Sequence, residues 1–315
     1  PVGSLRTMKL YPLDFEEFCW ANGVSERIFE MLRQCYQKRI AVDKIIHEKM
    51  MELFRLYLMI GGMPEAVNTY IKTNNLKQVD EIQKGIVRLY KKDIAKYDPD
   101  HKLYLEEIFS LIPSELNQKN KRFILKNFKF SRYENSFIWL KEAGVALPVY
   151  CAAEPTSPLL LSGATNLFKL FASDVGLLAS MYSDGLQLRI LKGEKDINFG
   201  SVYENVVAQE LQTHGFELYY YNSKKQGELD FLIEQSGVVL PIEVKSGKGY
   251  TRHAALNNVL STENYAIPQG IVLCNENVQV VENIVYYPIY MVMFLQKEEE
   301  QEEMIYKPDF SALQE

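Results

Sequence analysis

The sequence predicts a mixed α+β protein with a helical N-terminal region over residues 1–100 and a middle of helices and short strands over 101–195. An α/β C-terminal domain over 196–296 and an acidic tail over 297–315 complete it. Three observations carry this reading. Apolar residues recur at helical spacing through most of the first hundred positions. Short β-branched and aromatic runs bounded by Gly, Asn and Ser crowd the chain after residue 215. At 315 residues, 47% hydrophobic and 24% charged, the chain has the size and composition of two or three globular domains.

The elements follow in order. Asp14 is the expected N-cap of LDFEEFCWANG, which Gly23 ends, and Ser25 starts SERIFEMLRQCY. KIIHEKMMELFRLYLMI runs until Gly61-Gly62 breaks it, and Pro64 stands where a first helical turn tolerates proline. LKQVDEIQKGIVRLYKKDIAKY is a long amphipathic helix, closed by a turn at Asp98-Pro99-Asp100. LYLEEIFSLI is a helix, and Pro113-Ser114 start a second short one. After a basic stretch, SRYENSFIWLKEAG is a third. VALPVYCAAEPTSPLLL reads as two short strands around a proline turn, and this order of helices and hairpin resembles a winged helix. TNLFKLFASDVGLLASMY is expected to be one more helix, and 186–200 a connector. Then come a helix (201–214), strands (216–222, 227–235, 237–245), a helix (252–260) and strands (270–275, 284–290).

Composition excludes several functions. Cys19, Cys35, Cys151 and Cys274 have no metal-ligand or secreted-scaffold spacing, which points to reduced thiols and a cytoplasmic protein. The four histidines are scattered, against a zinc hydrolase. No apolar run is long enough to span a bilayer, so no membrane association is expected. No G-x-x-x-x-G-K-[ST] loop occurs, so ATP cannot be cradled by these residues alone. The net charge of −6 argues against tight non-specific nucleic-acid binding by the whole surface. Locally, Lys119, Lys121, Arg122, Lys126, Lys129 and Arg132 form an acid-free run interleaved with Phe123, Phe128 and Phe130, a candidate DNA contact. Residues 198–296, by contrast, hold five basic and ten acidic residues, so a polyanion there needs compensation.

The candidate site lies in that acidic region. Glu204 falls in the helical SVYENVVAQEL, Asp230 in GELDFLI, and Glu243 with Lys245 in PIEVKSG. Strand alternation points Glu243 and Lys245 to one face and Val244 to the other. Charged residues at strand edges are ordinarily solvated, but here both segments are flanked by apolar residues, where charges must be paired or metal-bound. Glu204, Asp230 and Glu243 are therefore candidate ligands for Mg²⁺. With Lys245 they form a candidate catalytic set for metal-assisted phosphodiester hydrolysis.

Six segments carry a family resemblance. GGMPEAV (61–67), DIAKY (93–97), IPSELNQKNKRF (112–123), FKLFASDVGLLA (168–179) and PIEVKSG (241–247) resemble the C-terminal half of prokaryotic AAA-type ATPases, and PVGSLRTMKLYPLDFEEF (1–18) resembles the junction, last strand and following helix, by which the chain leaves their ATPase core. The C-terminal half carries the domain of unknown function 4143. The resemblance implies a longer parent whose N-terminal P-loop core, absent here, would bind ATP. The opening PVGSLRTMKLYP, which enters mid-pattern like a strand, agrees with a piece of a longer chain. It also implies a winged-helix middle and a restriction-endonuclease-like C-terminal module similar to the PD-(D/E)xK superfamily. In that pattern Glu204 matches the helix acid, Asp230 the strand aspartate, and Glu243 and Lys245 the E-x-K; the proline before the aspartate is missing.

Two functions stay open at this stage, with a weaker third. The chain is the effector part of a DNA-acting ATPase, or it is a non-enzymatic module contacting a protein partner or a second copy. The third is a DNA-binding regulator using the winged helix alone.

Overall fold

The computed structural model describes residues 8–97, 102–116, 134–182 and 200–297. The basic segment 119–132, the turn at 98–100, the connector through 199 and the acidic tail beyond Lys297 lie outside these residues.

Five helices open the chain: α1 (Phe15–Ala21), α2 (Glu26–Lys38), α3 (Lys44–Ile60), α4 (Pro64–Thr73) and α5 (Leu76–Tyr97). Asp14 caps α1 as expected. Its carboxylate accepts from the Glu17 amide at 2.8 Å, and Glu17 accepts from the Asp14 amide at 3.1 Å, a reciprocal capping box. Pro64 opens α4. The break before it is sterically required. A Cβ on Gly62 would lie 1.9 Å from the Leu13 carbonyl oxygen, and Leu13 N donates to Gly62 O at 2.8 Å.

Three expectations for the middle are corrected. α6 (Lys102–Leu116) runs through Pro113 without restarting there. The stretch TNLFKLFASDVGLLASMY is not one helix: its first part is strand β2 (Gly163–Ala172), and only α9 (Val175–Met181) is helical. The physical reason is burial on both faces. Phe168, Leu170 and Ala172 pack with α6 and α7 (Glu134–Glu142), while Phe171 packs on the opposite side, so the apolar run mimics a helical pattern. The proline turn after β1 (Ala146–Ala152) ends in a one-turn helix, α8 (Leu159–Ser162), which occupies the place expected for the hairpin's second strand.

The C-terminal elements fall close to their predicted positions: α10 (Gly200–Thr213), β3 (Tyr219–Ser223), β4 (Gly227–Gln235), β5 (Val238–Val244), α11 (Ala254–Leu260), β6 (Gly270–Cys274) and β8 (Ile284–Pro288). The short β7 (Gln279–Val281) was not anticipated. All eight strands form one mixed sheet in the order β2-β1-β3-β4-β5-β6-β8-β7. β1 pairs antiparallel with β2 and parallel with β3, so the hairpin of the middle region is the edge of the C-terminal sheet.

Among the described residues the buried apolar side chains form three clusters, the largest of which joins the N-terminal helices to the sheet. One face of the sheet, α10 and the 3₁₀ turn Ile289–Phe294 share a hydrophobic cluster with α1, α2 and α3. Tyr36 of α2 stacks at 4.6 Å on Tyr287 of β8, whose hydroxyl donates to Tyr36 O at 3.0 Å. At a second joint, Asp174 accepts from the Gly62 amide at 2.7 Å and caps α9 through the Leu177 amide at 2.8 Å. Gly176 lies so close to the end of α3 that a Cβ would meet the Ile60 carbonyl oxygen at 2.4 Å. Two of the resemblance-bearing motifs, GGMPEAV and SDVGLLA, thus meet in one contact. No described helix is long and apolar enough to cross a membrane.

Candidate functional site

α10 lies on the α1–α3 side of the sheet because Val202, Val206, Val207 and Leu211 are buried there. Asn205 locks it to β2, accepting from the Ala172 amide at 2.8 Å and donating to the Ala172 carbonyl at 3.1 Å. These bonds satisfy backbone groups of a strand at the edge of the sheet. They also bring Glu204, the preceding residue, beside Lys169 of β2, with the Lys169 Nζ 3.5 Å from Glu204 Oε2.

Asp230 is positioned by a bulge. Tyr219 of β3 pairs with Leu232 and Tyr221 with Leu229, so β4 holds one extra residue at this point. The bulge also changes which faces consecutive residues serve. Leu229 and Leu232 pack with α11, whereas Phe231 and Ile233 join the α10 side. β4 and β5 part beyond the Phe231–Ile242 pair. There Asp230 Oδ2 accepts from the Val244 amide at 2.8 Å, replacing a ladder carbonyl. The carboxylate is thus wedged between the two strands.

Glu243 alternates with Leu240, Ile242 and Val244, which face α10, so it leaves β5 on the other side. Lys245 follows it and donates to Glu243 Oε1 at 2.5 Å, in accord with the common face expected for E-x-K. Glu243 is buried, its side chain only 7% exposed, and Oε2 has no hydrogen-bond partner.

The structure therefore brings Glu204, Asp230, Glu243 and Lys245 within electrostatic reach of one another and adds two residues that sequence reasoning missed. Lys169 donates to Glu228 Oε1 at 2.7 Å and lies 5.2 Å from the Tyr220 ring centre. Glu228 is held from its other oxygen by Asn222 Nδ2 at 2.7 Å. Glu228 stands two positions before Asp230, and Lys169 is the single charge in an apolar strand. Both were findable once β2 was read as a strand and β4 as a bulged one.

Electrostatics follows from four acids and two lysines in a half-buried place. Burial pushes Glu204 up to about 7, with Asp230 and Glu228 adding to it and Lys169 opposing. Burial and then Asp230 push Glu243 up to about 8 against Lys245. Asp230 is also raised by burial, although Lys169 and the Val244 amide favour its charged form. For Lys169, burial works against the ammonium, but Glu204, Asp230 and Glu228 outweigh it and hold its pKa above the usual lysine range.

Carboxylates are the right donors for Mg²⁺, but their positions do not suit it. Among the described residues no three acidic, histidine or cysteine groups are placed to hold one metal ion. The reason is local: Lys169 stands between Glu204 and Glu228, Lys245 caps Glu243, and Asp230 is engaged by backbone. The candidate DNA contact at 119–132 lies outside the described residues.

Residues 199–292 match the family model described as a domain of unknown function, DUF4143. Residues 51–189 match a second, described as a domain of unknown function, DUF8612. The DUF4143 match supports that domain for residues 199–292, where PIEVKSG lies, whereas four of the other quoted segments fall in the second match. No curated protein and no solved structure matched the chain. The two matches leave a gap at 190–198, yet the sheet draws strands from both.

Proposed function

We propose that this chain is the effector part of a DNA-associated AAA-type ATPase. Its restriction-endonuclease-like module faces the phosphodiester backbone but is held closed by its own lysines. One observation supports the reading: a helix acid, a bulge aspartate and an E-x-K from three separate elements are buried within electrostatic influence of one another, paired to lysine or to backbone. Such a concentration of perturbed groups marks functional sites more often than structural ones. Glu204, Asp230 and Glu243 are the residues a Mg²⁺ ion would have to use, and Lys245 the group that would meet phosphate charge. In the packing described above, all three acids are otherwise engaged. Lys119, Lys121, Arg122, Lys126, Lys129 and Arg132 would supply the attraction that the acidic module lacks.

The test has two parts. Binding to labelled duplex, single-stranded and branched DNA is measured across a salt series, with Mg²⁺ or Mn²⁺ present to score cleavage. The expected result is binding that weakens steeply with salt and no cutting by the wild-type chain. Neutralising the six basic residues should flatten the salt dependence; as an upper bound, six phosphate contacts correspond to a log–log slope of about −5. Absence of binding at low salt removes the DNA reading, and cutting by the wild-type chain removes the closed-site reading.

A second reading, a non-enzymatic coupling module, has its own support. The N-terminal helices share a core with the module and are tied at Gly62 to Asp174, just after the sheet strand β2, a packed path between an upstream ATPase and the sheet.

A further inference from the structure

We propose that His214 is a proton-operated latch: as an imidazolium it ties the cap of α1 to the segment that follows the sheet, and loss of its proton releases that tie. The inference is independent of the nuclease-like reading.

The ring stands just past the end of α10, its side chain 4% exposed, with an oxygen at each nitrogen. Nδ1 lies 2.8 Å from the Leu295 carbonyl oxygen, and Nε2 faces Asp14 Oδ2 at 3.6 Å. A neutral imidazole has one N–H and one lone pair, so either tautomer turns a lone pair onto an oxygen. Only the doubly protonated ring offers hydrogen to both. The two oxygens of Asp14 divide the work: Oδ1 caps α1 through the Glu17 amide, and Oδ2 is left for the ring. Glu210, one turn earlier on α10, holds Oε2 buried with no hydrogen-bond partner among the described residues, so oxygens here outnumber donors. The other charged groups in range are Glu16, paired with Arg33 at 3.1 Å, and Lys297, whose stem lies against Gly215. Burial keeps the Tyr57 hydroxyl and the Cys19 thiol near Glu210 protonated. Burial also opposes the charge on the ring, but Asp14 and Glu210 outweigh it and raise His214 above its ordinary 6.5. A raised histidine stabilises fully below 6.5 and loses that stabilisation as pH rises through its folded value, so the latch is closed in acid and opens on the alkaline side. Opening is local, because Phe15, Phe18 and Cys19 remain in the large apolar cluster.

Two measurements on the full chain test this. The histidine ring resonances of chain labelled with ¹³C-histidine are titrated by NMR across about pH 5–9, with His214 identified by its loss in His214→Gln. The expected midpoint lies above 6.5 in wild type. It should be lower by about 1 unit or more in Asp14→Asn, which keeps a capping oxygen but not the charge. Hydrogen exchange, corrected for its intrinsic pH dependence, is then read by mass spectrometry over residues 13–18 and 293–297. Wild-type protection in both should fall as His214 titrates, by at most about tenfold per pH unit for one proton, while Val238–Val244 of β5 keeps its protection. Glu210→Gln should retain this response, which separates the ring from its titrating neighbour. His214→Gln should show low protection in both segments with no step. Should that variant not fold, Asp14→Asn serves instead, its step moving to lower pH together with the ring's midpoint. A wild-type midpoint at or below 6.5, no step in wild type, or an equal step in wild type and His214→Gln overturns the proposal.

Discussion

Glu210 lies one helical turn and a half beyond Glu204 and does a different job. Its Oε1 accepts from the Phe15 amide at 2.9 Å and from the Tyr57 hydroxyl at 3.1 Å, tying α10 to α1 and α3. Burial pushes its pKa up to about 8, although His214, the Phe15 amide and Tyr57 favour the charged form. The nearby His214 is also raised: burial opposes its charge, but Asp14 and Glu210 outweigh that. A carboxyl raised in the folded state gives stability that is fully present below the unfolded value near 4.5 and is lost as pH rises through about 8. The histidine acts in the same direction, above its own ordinary value of 6.5. Urea melts between pH 5 and 8 should therefore show stability falling with pH, by at most about 1.4 kcal/mol per unit from Glu210 alone. Glu210→Gln, which keeps an acceptor oxygen, should flatten that slope; an unchanged slope would contradict the assignment. Residue-scale features of this kind were only partly legible. Glu204, Asp230, Glu243 and Lys245 announced themselves as charges inside apolar segments. Glu210 sits in the same helix and gave no signal, because its partners, Phe15 and Tyr57, lie more than 150 residues away.

At the scale of elements, the joint between the α3–α4 turn and α9 is the clearest case of sequence dictating a contact. Two glycines admit backbone where a side chain would collide, and one aspartate ties both segments. Asp174→Ala leaves the buried Gly62 amide and the Leu177 amide without their acceptor and should cost about 2–5 kcal/mol. Gly176→Ala should destabilise by about 1–3 kcal/mol through overpacking against a carbonyl that cannot retreat. Chemical denaturation of both variants checks this, and a loss below about 0.5 kcal/mol in either would show that the joint is slack. The strands after residue 215 were readable because turns and β-branched runs delimit them. β2 was not, since apolar residues on both of its faces imitate a helix. Pro113 likewise suggested a break that tertiary packing of Ile108, Phe109 and Ile112 overrides.

Across the whole molecule, the sheet ignores the division the sequence suggested. β1 and β2 come from before the connector, and the first three helices cover the face that α10 packs on. A fragment of residues 196–297 lacks that cover and should not unfold cooperatively, whereas residues 8–297 should; a sharp thermal transition in the short fragment would refute this. The packing of α2 against Ile289–Phe294, with Arg33 over the Phe294 ring at 5.6 Å, also has a consequence for biosynthesis. A ribosome adding about 5–20 residues per second takes roughly 15–55 s to travel from the first helix to Phe294. Throughout that interval Arg33 and Tyr36 of α2 stand without Tyr287 and Phe294, the rings on which they finally pack. The nascent chain is thus expected to lean on holding chaperones until nearly all of it has been made.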